Sequence, residues 1–206
     1  MEMRDMRNAE LELLRRCVQG DQGAYADLVA TVEKPLINFI YKYVGERYTA
    51  EDIFQETFVK VLRSIKSFKP NAMLTTWIFT IARNLCLDHI KAIKRHKQVS
   101  FEKGSKRDGN IIDFKKVLSS GAVSPDQELE KMQSTEKINE ALGKLNPKER
   151  EILILRIYLD FPYAEISKIV GKPIGTVKYR VHQSLSKLGG ILEEKNGLEN
   201  SVGGVI

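Results

Sequence analysis

Pro162-Tyr-Ala-Glu-Ile-Ser-Lys-Ile-Val-Gly171-Lys-Pro-Ile-Gly-Thr-Val-Lys-Tyr-Arg-Val181 reads as two helices joined by a short turn at Gly171, the layout of a helix-turn-helix. In the second helix Ile174, Val177, Val181, Leu185 and Leu188 recur every three or four residues. They are expected to pack inward against Ile166, Ile169 and Val170. Left facing outward are Lys178, Tyr179, Arg180, His182, Gln183 and Lys187. This set joins phosphate-seeking cations to groups that hydrogen-bond base edges, which suits the major groove of DNA. Thr176 stands near the helix start, where unpaired backbone N–H groups and the helix dipole favour a phosphate. Between Ile166 and Leu192 there are five basic residues and no acidic one, and that one-sided charge weighs against an ordinary solvated face.

Outward from this segment the periodicity stays helical. Apolar residues recur at steps of three and four in Leu11 to Val18, Tyr25 to Val44, Ile53 to Ile65, Trp77 to Ile93 and Ile138 to Leu192, with no competing strand alternation. Helix starts are signalled at Gly20-Asp21, at Thr49-Ala50-Glu51-Asp52 as a capping box, and at Asn146-Pro147-Lys148-Glu149 with Asn as N-cap and Pro in the first turn. From Gln98 to Pro125 the pattern fades into Lys, Gly, Ser and Asp, as in a linker. The expected fold is all-α: two small helical domains over residues 1–98 and 133–193, a basic linker at 99–132 and a tail at 194–206.

The first domain carries two chemically distinct helices. From Glu51 to Ile65 the stripe Phe54, Phe58, Val61 and Ile65 is expected to face a helical bundle, leaving Asp52, Gln55, Glu56 and Val59 off it. Carboxylates repel phosphate, so this acidic and amide face suits a basic protein helix rather than DNA. The helix from Trp77 to Lys97 carries Arg83, Asn84, Asp88, Lys91, Lys94, Arg95 and Lys97, its cations gathering toward the C-terminal half. Trp77 falls among Ile78, Ile81 and Leu85 and reads as core, whereas Phe68, beside a loop, is open to stacking on an unpaired base.

Five stretches carry a family resemblance. Leu145-Asn-Pro-Lys-Glu-Arg-Glu151, Tyr163-Ala-Glu-Ile and Gly175-Thr-Val-Lys-Tyr-Arg-Val181 resemble region four of the sigma-70 family. Ala50-Glu-Asp-Ile-Phe-Gln-Glu-Thr-Phe58 and Thr76-Trp-Ile-Phe-Thr-Ile-Ala-Arg-Asn84 resemble region two of the same family, in the usual order. The compact layout is that of its extracytoplasmic-function (ECF) members. The resemblance implies an alternative sigma factor that joins the RNA polymerase core. It would contact the beta-prime clamp helices through Asp52, Ile53, Gln55, Glu56, Val59 and Lys60, and the beta flap through the second domain. The upstream, minus-thirty-five element would meet Thr176, Lys178, Tyr179, Arg180, His182, Gln183 and Lys187. The downstream, minus-ten element, with a base flipped from the non-template strand, would meet Phe68, Lys69, Asn71, Arg83, Asn84, Asp88, Lys91, Lys94 and Arg95. The family habit also implies an anti-sigma factor. Against the pattern, Pro162 replaces a usual Ser or Thr cap, Tyr179 a small Ser, and Gln183 a frequent Arg, which implies an altered promoter preference.

The 206 residues hold 33 Lys and Arg against 27 Asp and Glu, a formal charge of +6 that agrees with a polyanionic partner. Two cysteines, no apolar run near eighteen residues and no leader-like start point to a cytoplasmic protein without disulfides or membrane insertion. The Cys86-x-x-His89 spacing lacks further ligands, so no metal site is expected. No phosphate-binding Gly loop or converging pair of carboxylates is present, so neither an enzyme nor a cofactor is expected. Two rivals are a stand-alone helix-turn-helix regulator, which has no use for the acidic face of the first domain, and an adaptor that ignores DNA, which has no use for the acid-free helix.

Overall fold

Local capping chemistry sets most helix boundaries. In the computed structural model, which describes residues 3–69, 72–101 and 137–202, Asp21 accepts from the Ala24 N–H and starts α2 (Gln22–Val44) behind α1 (Met3–Val18). Gly45, at φ 83°, closes α2 in the left-handed conformation that glycine adopts without a Cβ penalty. Next comes α3 (Arg47–Ser64), and here the cap differs from the expectation at Thr49. Glu46 is the N-cap, accepting from the Tyr48 and Thr49 N–H groups, and Thr49 Oγ1 donates to the same carboxylate from inside the first turn. A short 3-10 turn (Ile65–Ser67) leads toward α4 (Leu74–Phe101), which runs into the expected linker. From residue 102 that linker lies outside the described residues.

In the second domain, α5 is described over residues 137–144. Asn146 and Glu149 then form the expected reciprocal capping box, with Pro147 in the first turn of α6 (Pro147–Leu153). That helix widens into a π-helical turn (Ile154–Tyr158) before α7 (Tyr163–Val170) and α8 (Ile174–Val202). Pro162 is the N-cap of α7 and gives it no side-chain hydrogen bond, as the missing Ser or Thr implies. Gly171, at φ 63°, makes the tight turn into α8, and Ser167 Oγ donates across it to the Lys172 carbonyl at 2.6 Å. Among the described residues there is no strand, and α8 continues past residue 193, where the second domain was expected to end.

The two domains share their apolar interior. One cluster of buried side chains runs from Leu28, Leu36 and Phe39 of α2 through Ile78, Phe79 and Ala82 of α4 into Leu155, Ile166 and Ile169 of the second domain. Phe79 sits at the junction, its ring 5.4 Å from Phe39 on one side and 5.1 Å from Phe161 on the other. Leu142, Leu145 and Leu153 form a separate small core under α8. Arg150 ties α5 to α6: its buried guanidinium donates to the Leu142, Gly143 and Leu145 carbonyls at 2.8–3.1 Å, satisfying acceptors that a helix end leaves open.

Candidate nucleic-acid interface

Three surfaces and one junction carry the chemistry. On α3, Asp52, Gln55, Glu56, Val59 and Lys60 are exposed, whereas Ile53 is 6% exposed and belongs to the core. Ile53 therefore leaves the docking set. The buried stripe is Ile53, Thr57, Phe58, Val61 and Ile65, with Phe54 half-buried, and Thr57 holds its place by donating to the Ile53 carbonyl at 2.7 Å. Leu62, half exposed, completes a face with Gln55 and Val59 at steps of four and three, and sequence reasoning missed it. Its signal was present: an apolar residue off the core stripe, one turn beyond Val59.

The second surface is a cavity of about 650 Å³ between α3, the segment around Phe68 and the start of α4. Its described lining brings together Lys60, Arg63 and Lys69, the hydroxyls of Ser64, Ser67, Thr76 and Thr80, the rings of Phe68 and Trp77, and Lys168 from α7; Glu165, behind it, holds the Thr76 hydroxyl and the Lys168 ammonium. The two rings lie 4.9 Å apart. Trp77 is thus half-buried core on one side and cavity wall on the other. Farther along α4, Asn84, Asp88, Lys91, Lys94 and Arg95 are exposed, and Asp88 pairs with Lys91 at 3.2 Å. Asn71 lies outside the described residues.

The third surface is α8. Lys178, Tyr179, His182, Gln183 and Lys187 point outward, with Thr176 and Arg180 half-buried, while Val177 and Val181 are buried. Ile174 and Leu185 do not pack inward as expected; they are 45% and 37% exposed. The buried register is 177, 181, 184 and, partly, 188, so Ser184 occupies the inner position that Leu185 was expected to fill. Lys187 reaches Glu149 at 3.0 Å, which turns this cation partly toward α6.

At the junction the second domain covers one face of α4. Arg83, expected to meet DNA, instead pairs with Glu151, whose side chain is only 2% exposed. Burial pushes the Glu151 carboxyl up, against the pull of Arg83 beside it. Thr76 donates to Glu165 at 2.7 Å. Burial raises the Glu165 carboxyl, but hydrogen bonds from Lys168 and Thr76 outweigh it and hold it below the ordinary range. On α2, Lys42 donates to Asn139 at 2.8 Å and lies 4.3 Å from the Tyr158 ring centre. The Tyr43 hydroxyl is buried nearby without a hydrogen-bond partner among the described residues. A hydroxyl buried in this way costs about 1–3 kcal/mol.

Burial at this junction pulls the Lys42 ammonium from 10.5 to about 8. Both partners come from the second domain, so the undocked group regains its ordinary value. The undocked state then binds more protons between pH 8 and 10.5, and docking should strengthen as pH rises through that window, by at most ~1.4 kcal/mol per pH unit. Inter-domain energy transfer measured at pH 7.5 and 9.5 should rise in the native chain and stay flat in Lys42→Met.

Comparisons with known proteins agree with this geometry. The Sigma-70 region 2 family matches residues 19–96 and the Sigma-70, region 4 family matches residues 135–188. The ECF RNA polymerase sigma factor SigW of Bacillus subtilis is 29% identical over 175 residues, 85% of this chain and 92% of the relative. The ECF RNA polymerase sigma factor EcfG of Rhodopseudomonas palustris is 34% identical over 166 residues, 81% of this chain and 83% of the relative. The chain belongs to the ECF sigma factors. Two solved structures share the fold of this ECF sigma factor. CnrH, solved with the cytosolic domain of CnrY, superposes at TM-score 0.63 with 21% identity over 90% of this chain and 98% of that one. RpoE of Bartonella quintana, solved with the anti-sigma factor NepR, superposes at 0.62 with 25% identity over 82% and 96%.

As an alternative sigma factor the protein directs transcription initiation. No described helix of this ECF sigma factor is long and apolar enough to cross a membrane. Cys86 is fully buried, consistent with packing.

Proposed function

We propose that this ECF sigma factor docks on core polymerase through Asp52, Gln55, Glu56, Val59, Lys60 and Leu62, reads the upstream element through α8, and takes the opened downstream strand along α4. Residues 1–98 and 133–193 act as the two functional domains, with the basic linker 99–132 tracking an anionic groove of the complex. The protein performs no reaction itself and works in the cytoplasm. The observation that carries this reading is the cavity beside Phe68. An unstacked base needs an aromatic face and hydrogen-bonding groups, and its backbone needs cations. The cavity supplies all three, and no carboxylate is among its described lining residues. Asn84, Lys91, Lys94 and Arg95 extend the track for the strand.

Docking at the junction has to yield for this to happen, because Glu151 holds Arg83 and the second domain covers that face of α4. Core polymerase therefore competes with the domain contact. The relative solved with the anti-sigma factor NepR supports an anti-sigma factor as a further partner.

Transcription in vitro with sigma-free core polymerase and a pool of genomic promoters tests the assignment. Gln55→Ala with Glu56→Ala should reduce core binding about tenfold. Lys178→Ala with Arg180→Ala should keep core binding, lose promoter choice, and lower the slope of log affinity against log salt by about 2. If core is never recruited and only duplex binding is seen, the α3 assignment fails and a stand-alone regulator is the better reading.

A further inference from the structure

The helix that carries the downstream-strand residues does not cap itself. Met73 precedes α4 and has no side-chain oxygen to offer the first N–H groups, and Leu74 is 3% exposed, with little access to water. The cap comes from α1 instead. Glu10 Oε2 accepts from the Leu74 N–H at 3.0 Å and Oε1 from the Thr75 N–H at 3.4 Å, across 64 residues of chain. A carboxylate there also complements the helix dipole. Beside it, Leu11 and Leu14 line a narrow crevice with Phe68 and Met73. Phe68 is shared: it lines this crevice and also the large cavity. So α1, which precedes the family-matched span beginning at residue 19, backs the wall of the cavity and fixes the first turn of α4, where Thr76 and Trp77 sit.

We propose that Glu10 is a positioning residue for base capture: it sets the start of α4 and, with its α1 neighbours, the place of Phe68, while touching no DNA. The inference rests on the cavity being the base-binding site. Without the Glu10 carboxylate the first turn of α4 loses its acceptor, the Phe68–Trp77 gap loosens, and one base is no longer held better than another.

The full chain, assembled with core polymerase, is tested as native protein, Glu10→Ala and Glu10→Gln. The probes are single-stranded non-template oligonucleotides that differ only at the captured base. In Glu10→Ala, core affinity should stay within about twofold while preference among the four bases falls about fivefold, the size expected for a lost helix cap. Glu10→Gln keeps one acceptor oxygen and should recover part of the preference. Undiminished preference in Glu10→Ala overturns the proposal alone. Parallel loss of core affinity and base preference in both variants also overturns it, by marking a general structural role. A native complex that binds core but prefers no base overturns the cavity assignment and the proposal with it, leaving the α3 and α8 assignments standing.

Discussion

Glu151→Ala should weaken domain docking by about 3–5 kcal/mol, about two to four orders of magnitude in the closed-to-open ratio, because it strips one partner from a buried ion pair. The Arg83 and Glu151 side chains are 17% and 2% exposed, so little solvent screens them. Fluorophores placed on the two domains should report a large loss of energy transfer, and the free protein should gain affinity for single-stranded downstream DNA as Arg83 is released. Replacing both partners, Arg83→Met with Glu151→Leu, should restore most of the docking, since no uncompensated charge is left buried. Docking unchanged in Glu151→Ala would show that the apolar contacts around Phe79 and Phe161 hold the domains by themselves.

Arg150→Ala should destabilise the second domain by about 3 kcal/mol. Three carbonyls, of Leu142, Gly143 and Leu145, lose their donor together at the end of α5, and the side chain that filled the space is 5% exposed. Arg150→Lys should recover only part of this, since an ammonium cannot copy the planar fork of the guanidinium. Urea unfolding with an unchanged slope and a lower midpoint would register the loss. A midpoint within experimental error of the native one would mean that water reaches these carbonyls.

Short-range features were the legible ones. Asp21, Asn146 with Pro147 and Glu149, and the uncapped Pro162 act within four residues, and the structure places them as the sequence indicates. Amphipathic phase was legible only to within one residue. Thr57, whose hydroxyl donates to the Ile53 carbonyl, and Ser184, whose hydroxyl finds no hydrogen-bond partner among the described residues, are both small enough to be buried, and with them inside, Leu185 faces outward and Ile53 inward. A hydrophobicity pattern ranks those residues the other way. Least legible were contacts between distant parts of the chain: Arg83 with Glu151 across 68 residues, Lys42 with Asn139 across 97, and Glu10 with Leu74 across 64. Each is a polar contact, the third made to the Leu74 backbone N–H, and Arg83, Glu151, Lys42, Asn139 and Glu10 all look like ordinary surface residues when read alone. The sequence therefore gives no sign of the Glu151 partner of Arg83, and does not single out Glu10 at all.

The closed arrangement leaves the two DNA-facing helices unequally available. The outward residues of α8 stay in solvent, while the second domain covers Arg83, Thr76 and Phe79 on α4. If α4 takes the opened strand only after undocking, as proposed, a free molecule should rest on and slide along intact duplex through its cations, as basic proteins do, without opening it. Strand separation should then be confined to molecules already seated on polymerase. The pool of unbound protein should scan the chromosome while leaving no unpaired bases behind it.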